Sequence, residues 1–148
     1  MLLEDQFLAT ILLIRPARRG LIITTQEIPR DEWSQFLDKF SRQHEGWLAT
    51  LEVFATDVGA QVEVRERPFE GVTMASRVHG AEAIAISLGK SPEDHLTHTI
   101  AKPKRVWIEQ TSAGANAALE IESEDDTKTL LRFRSALPPE MVDGVVLT

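Results

Sequence analysis

The sequence predicts an α+β domain that is mostly β: one N-terminal amphipathic helix packed on an antiparallel sheet of about seven strands, curved or barrel-like. Three observations predict it. Trp33, Phe36, Leu37 and Phe40 recur at i, i+3, i+4 and i+7, which is one face of a helix. From Trp47 onward the apolar period changes to two, the period of a strand with one buried face. The connections between the later apolar runs are too short for parallel crossovers, so neighbouring strands should pair antiparallel.

The helix is read over residues 30–45. Pro29 stands at or just before its first turn, where a missing N–H costs nothing. Asp31 and Glu32 suit the positive end of the helix dipole, and Gly46 is a natural residue to end it. Four large apolar side chains on one stripe are expected to be core. A hairpin follows: residues 47–54 and 61–66, joined by the turn Asp57-Val58-Gly59. Pro68 is expected to interrupt the chain before a weaker strand at 71–77, and His79-Gly80 marks a turn. Ile84, Ile86 and Leu88 line one face of the strand 82–88. The loop 89–94 leads into 95–101, and Pro103 separates that strand from 104–110. In the last hairpin, 118–123 and 127–134, Glu120 and Glu122 should meet arginines of the next strand, Arg132 and Arg134, with Leu119, Ile121, Leu131 and Phe133 on the opposite face. Pro138-Pro139 ends the pattern.

The chain of 148 residues has the length of one domain and can bury a core without disulfide or metal staples. Residues 1–22 read as an N-terminal extension whose place in the domain the sequence leaves open, 23–145 as the single domain, and 146–148 as a tail. Pro16 and Gly20 bracket the basic cluster Arg15, Arg18 and Arg19 that marks the break. The apolar run of residues 7–14 is too short to span a bilayer, and no transmembrane segment is expected. Glu4 and Asp5 precede that run where a secretory signal would carry positive charge.

Cysteine is absent, which removes disulfides, cysteine zinc sites and thiol nucleophiles together, and fits a reducing, cytoplasmic location. Hydrophobic residues make up 43% and charged residues 26%, an ordinary globular composition. The net charge of −7 repels a long polyanion or an anionic membrane on average, which weighs against a nucleic-acid partner.

No nucleophile elbow, dinucleotide-binding loop or Walker loop occurs in the chain. The candidate ligand-binding residues are therefore the titratable and cationic ones: His44, Glu45, His95, His98 and Arg105. His44 falls in the last helical turn, where a cation would favourably meet the negative dipole end. On a strand, His98 shares the face of Leu96 and Ile100 and points inward, while His95 points outward. A core histidine with a hydrogen-bond partner explains His98 without a ligand. Zinc would need three or four converging histidines, and only four exist, one of them His79 beside a turn glycine. Neither a metal nor a cofactor is expected. Glu120, Glu122, Glu124, Asp125 and Asp126 lack the spacing and the glycine of a calcium loop. Lys102, Lys104 and Arg105 beside Trp107 form a basic-aromatic patch of the kind that binds single strands, and a charged edge strand explains it equally.

The strings Glu27-Ile28-Pro29-Arg30-Asp31-Glu32-Trp33, His44-Glu45-Gly46-Trp47, Asp94-His95-Leu96-Thr97-His98-Thr99-Ile100 and Pro139-Glu140-Met141-Val142-Asp143-Gly144 carry a family resemblance. So does the pairing of 118–123 with Thr129-Leu130-Leu131-Arg132-Phe133-Arg134-Ser135. The chain resembles, over roughly residues 25–145, a bacterial family catalogued only as a domain of unknown function (number 5335). That resemblance implies no activity and transfers no catalytic residue.

Three functions follow as expectations. The first is a non-catalytic binding or interaction module with a protein partner or a second copy of itself. The second is a small-ligand binder or enzyme using His44, His95 or His98. The third is a weak nucleic-acid binder through Lys102, Lys104, Arg105 and Trp107.

Overall fold

The computed structural model describes residues 13–16, 22–78 and 81–134. The turn at His79, the tail beyond Arg134 and most of residues 1–22 lie outside them. In chain order the elements are β1 (Leu13–Pro16), β2 (Ile22–Ile28), a 3-10 turn (Arg30–Glu32) and α1 (Trp33–His44). Then come β3 (Leu48–Ala55), β4 (Gly59–Val78), β5 (Ala81–Leu88), a second 3-10 turn (Pro92–Asp94) and β6 (Leu96–Ala101). The series ends with β7 (Pro103–Thr111), β8 (Asn116–Ser123) and β9 (Lys128–Phe133). The nine strands form one antiparallel sheet in the order β1-β2-β7-β8-β9-β3-β4-β5-β6. That linear order curls without closing. The α+β, mostly β reading stands, with nine strands in place of about seven. One addition is β1, which pairs with β2 inside the stretch read as an extension.

The largest departure from expectation is at Pro68. It does not end a strand; it lies inside β4, which runs for 20 residues. A straight strand of that length would extend about 65 Å, against about 40 Å for the diameter of a domain this size. β4 therefore bends and changes partner. Its first half pairs with β3 as far as Leu48↔Pro68, and its second half pairs with β5 from Phe69↔Leu88. Proline has no N–H to donate and suits the crossing point between two ladders. Beyond it, β5 continues the curl and Gly89 turns the chain, donating its N–H to the Pro68 carbonyl at 2.8 Å. A Cβ on Gly89 would stand 2.3 Å from the Asp94 carbonyl oxygen at a φ of +117°, so only glycine fits.

By leaving β3, the second half of β4 exposes one edge, and α1 covers it. Parity decides which groups face that edge: Val72 and its alternate neighbours direct N–H and C=O away from β5. Ser41 of α1 meets them. Its Oγ accepts from the Val72 N–H at 2.8 Å. At the helix end, the Gly46 N–H donates to the Phe69 carbonyl and the Phe69 N–H donates to the Trp47 carbonyl, both at 2.8 Å. The helix start is fastened as well. The Trp33 indole N–H donates to the Ile28 carbonyl at 2.9 Å, and Arg30 stacks over the Trp33 ring while pairing with Glu82. A sheet edge left open would be a template for aggregation, and a helix laid along it is one of the standard covers.

The core fills the space between α1 and the inner face of the curl. Trp33, Leu37 and Phe40 meet Leu51, Phe69, Val72, Ile84, Ile86, Leu88, Leu119, Ile121 and Leu131, all buried. Phe36 was expected among them and is only partly buried, packed at the margin. Its position on the stripe turns it toward the helix flank, 5.9 Å from Phe40.

Phe40→Ala is expected to cost about 3–5 kcal/mol in urea unfolding, and Phe36→Ala clearly less, because only the first removes a fully enclosed ring. Equal losses from the two substitutions would contradict this packing.

Candidate functional site

Two irregularities in the β3–β4 pairing lie beside an open polar groove. Leu51 pairs with Val64, but Ala49 pairs with Arg67 and Glu52 with Val62. On each side of Leu51, β4 thus spends one residue more than β3. Such bulges bend a strand and redirect side chains. Glu66 takes the left-handed conformation this requires, with a φ of 49°. The result is an open groove of about 330 Å3 lined by Thr50, Glu52, Val62, Arg65, Glu66, Arg132, Phe133 and Arg134.

The groove holds three arginines and two glutamates. Arg132 Nε donates to Glu52 at 2.9 Å, and Arg134 Nε lies 3.6 Å from Glu66. Each of these arginines is engaged through Nε, and both side chains are more than half exposed. Arg65 makes no ion pair among the described residues. Val62, 43% exposed, supplies an apolar floor. Planar forks of this kind suit bidentate binding of carboxylates and phosphates.

The sequence missed this groove for a physical reason. Alternation alone matches Arg132 and Arg134 to Glu120 and Glu122. The register instead sets Glu120 opposite Leu130 and Glu122 opposite Lys128, while Arg132 faces Ala118 on one side and Thr50 on the other. Glu122 accepts from the Trp107 indole at 2.8 Å, and Lys128 stands 4.0 Å from Glu120. The arginines therefore turn toward β3 and β4. Bulges leave no composition signal at 61–66, which reads as plain alternation.

The three described histidines take three different environments. His44 stands in the last turn of α1, where a cation would meet the negative dipole end, but it is fully buried. It stacks on Phe133 at 4.8 Å and 10°, and meets Phe40 at 4.5 Å and Trp47 edge-on at 4.6 Å. Its Nδ1 lies 2.7 Å from the Phe40 carbonyl oxygen, so Nδ1 carries the proton and Nε2 accepts from the Asn116 amide at 3.4 Å. Gln110 in turn donates to Asn116 at 2.8 Å. Burial lowers the His44 pKa and the Phe40 hydrogen bond only partly restores it, so the ring is neutral.

His98 is half-buried on the inner face of β6, and burial lowers its pKa against the opposing pull of Glu63. Ile100 is buried beside it, but Leu96 is 38% exposed, because β6 runs past the end of the core. His95 lies outside, its Nε2 2.7 Å from Glu70, next to the ion pair of Arg67 with Asp94. Glu45 and Arg105 are exposed on separate elements, the end of α1 and β7. Among the described residues no three histidines and acids stand close enough to hold a metal ion. In the basic patch, Lys104 pairs with Asp126 at 2.8 Å and Arg105 lies opposite Glu122. Acids thus answer much of its charge, and Trp107 is half-buried. No described helix is long and apolar enough to cross a membrane.

Comparison with known proteins gives three findings. The model of a family described as a family of unknown function, DUF5335, matches residues 24–141. A protein of Aquifex aeolicus (strain VF5), described only as uncharacterized, is 27% identical over 116 residues, which is 78% of this chain and 97% of that relative. No solved structure matches.

The two lowered histidine pKa values set a pH dependence of stability. In the unfolded chain both rings bind protons as pH falls through about 6.5, while in the fold they resist until lower pH. The unfolded state then holds more protons, so stability is complete above about pH 7 and declines toward pH 5. Urea unfolding should show lower stability at pH 5.0 than at 7.5. A flat profile over that interval would mean that neither ring is desolvated as described.

Proposed function

As the chain belongs to the family of unknown function DUF5335, we propose that it is a non-catalytic binding module, and that its groove takes a carboxylate-rich segment of a protein partner. The observation that supports this reading most is the convergence of Arg65, Arg132 and Arg134 on one open concavity with an exposed valine in its floor. A rigid sheet presents these side chains, which limits the entropy lost on binding. The groove carries three positive and two negative side chains within a chain of net charge −7. Such local contrast selects an extended acidic ligand by position, and added salt weakens it. The domain proposed to do this spans residues 23–145, with 1–22 as an extension that adds the strand β1 to the edge of its sheet.

The test uses an isotope-labelled full chain titrated with a peptide of eight glutamates, and in parallel with single-stranded RNA of similar charge. The reading expects saturable amide shifts centred on Thr50, Glu52, Arg65, Arg132 and Arg134 with the peptide. It also expects at least a tenfold weaker affinity for the peptide in Arg65→Glu. Shifts scattered over all basic residues would overturn it, as would stronger binding of RNA centred on Lys102 to Trp107.

A further inference from the structure

The second half of the sheet ends on β6, and there the fold does the opposite of what it does at β4. The exposed edge of β4 is covered by α1, whereas β6 pairs, among the described residues, with β5 alone. The strand β6 reads Leu96-Thr97-His98-Thr99-Ile100-Ala101 and carries none of the usual guards of an edge: no charge, no proline and no bulge.

The register identifies which backbone groups are left over. The Lys102 N–H donates to the Glu82 carbonyl at 3.0 Å. Pairing then alternates along β5–β6, so Ile100, His98 and Leu96 exchange hydrogen bonds with Ile84, Ile86 and Leu88. The intervening residues, Thr97, Thr99 and Ala101, direct N–H and C=O outward from the sheet. The close approach of the Ser87 and Thr97 hydroxyls at 3.4 Å fits this parity, since side chains stand nearer in the non-hydrogen-bonded pairs.

This segment is complementary to itself. Set antiparallel about a two-fold axis at His98, it places Thr97 opposite Thr99 and Leu96 opposite Ile100 of a second copy. The outward-facing groups of Thr97 and Thr99 then become a hydrogen-bonded pair, as their parity requires. Threonines meet threonines on the outer face, and branched apolar residues meet on the inner. Just beyond the strand, Asp94 of one copy lies toward Lys102 of the other, opposite in charge.

We propose that the bare edge of β6 pairs with β6 of a second copy of this chain, joining the two sheets through a two-fold axis at His98. The contact is isologous, so it closes as a dimer and does not propagate. It is also small, below the roughly 1,200 Å2 of stable complexes, and the dimer forms at roughly 100 µM chain rather than at nanomolar concentration. The two His98 rings form the non-hydrogen-bonded central pair, where Cα atoms approach to about 4.5 Å. This contact is separate from the arginine groove, and either can fail without the other.

Two measurements on the full chain test it. Sedimentation over a concentration series should show the mass rising from one chain to two, and Thr99→Pro, which deletes one outward N–H at an edge where proline is tolerated, should keep it at one with the circular dichroism unchanged. Because the chain has no cysteine, His98→Cys should form a disulfide-linked dimer at least tenfold faster than Thr97→Cys or Thr99→Cys, whose partners across the axis are threonines. A single-chain mass up to about 1 mM, a dimer indifferent to Thr99→Pro, or equal cross-linking at all three positions would overturn the proposal.

Discussion

Where β4 passes from β3 to β5 it leaves a half-strand without a neighbour, and the protein meets that vacancy with α1. The Phe69 peptide sits at the crossing. Its N–H and C=O cannot be taken by either strand, and Trp47 and Gly46 take them instead. The side chains gather around the same point: Phe69 meets Phe40 at 5.7 Å and Phe133 at 5.7 Å, both edge-on, while His44 lies flat on Phe133. Aromatic pairs in such geometry contribute about 0.5–1.5 kcal/mol each beyond the area they bury. One cluster thus ties the helix, the bend of β4 and the end of β9 together. His44 belongs to it because a ring that stacks as phenylalanine does can also hold the polar chain through Asn116 to Gln110. Among the described residues no buried side-chain nitrogen or oxygen lacks a hydrogen-bond partner.

The bend also places the surfaces. To turn as sharply as it does, β4 needs its bulges beside Leu51, and those bulges carry Arg65 and Glu66 into the groove with Arg132 and Arg134. The curl then carries β5 and β6 around to a corner at Lys102, whose φ of 51° breaks the strand before Pro103. There the sheet ends on β6. Groove and edge are two outcomes of one requirement, that a strand of 20 residues fit into a domain of this size.

Much of the architecture was legible, and the reasons are physical. The helix could be read because four large apolar residues fall on one stripe, and three of them are buried. The strands 82–88 and 118–123 could be read because one face is core and the period is two. What could not be read was pairing. Nothing in Gln61 to Glu66 distinguishes a bulged strand from a regular one, and nothing in Pro68 distinguishes a strand end from a change of partner. The arginines were matched to the wrong acids for the same reason, since register is a property of two strands and not of one. The charge of His44 is not legible in the sequence because it depends on burial by Trp47 and Phe133, one of them distant in sequence. The candidate residues Glu45, His95 and Arg105 came from residue type alone, and the structure leaves each on a different exposed surface.

The central claim, that the crossing at Phe69 is held by α1 as an integral part of the fold, is tested most directly by native-state hydrogen exchange. The amides of Gly46, Phe69 and Val72 each donate to a partner on the far side of the helix–sheet junction. The account predicts that they exchange only through global unfolding, with the same free energy as the amides of Leu119 and Leu131 at the centre of the sheet. Exchange of these three amides at a much lower free energy, together with those of α1 and ahead of the central strands, would show a helix that detaches on its own and would contradict it.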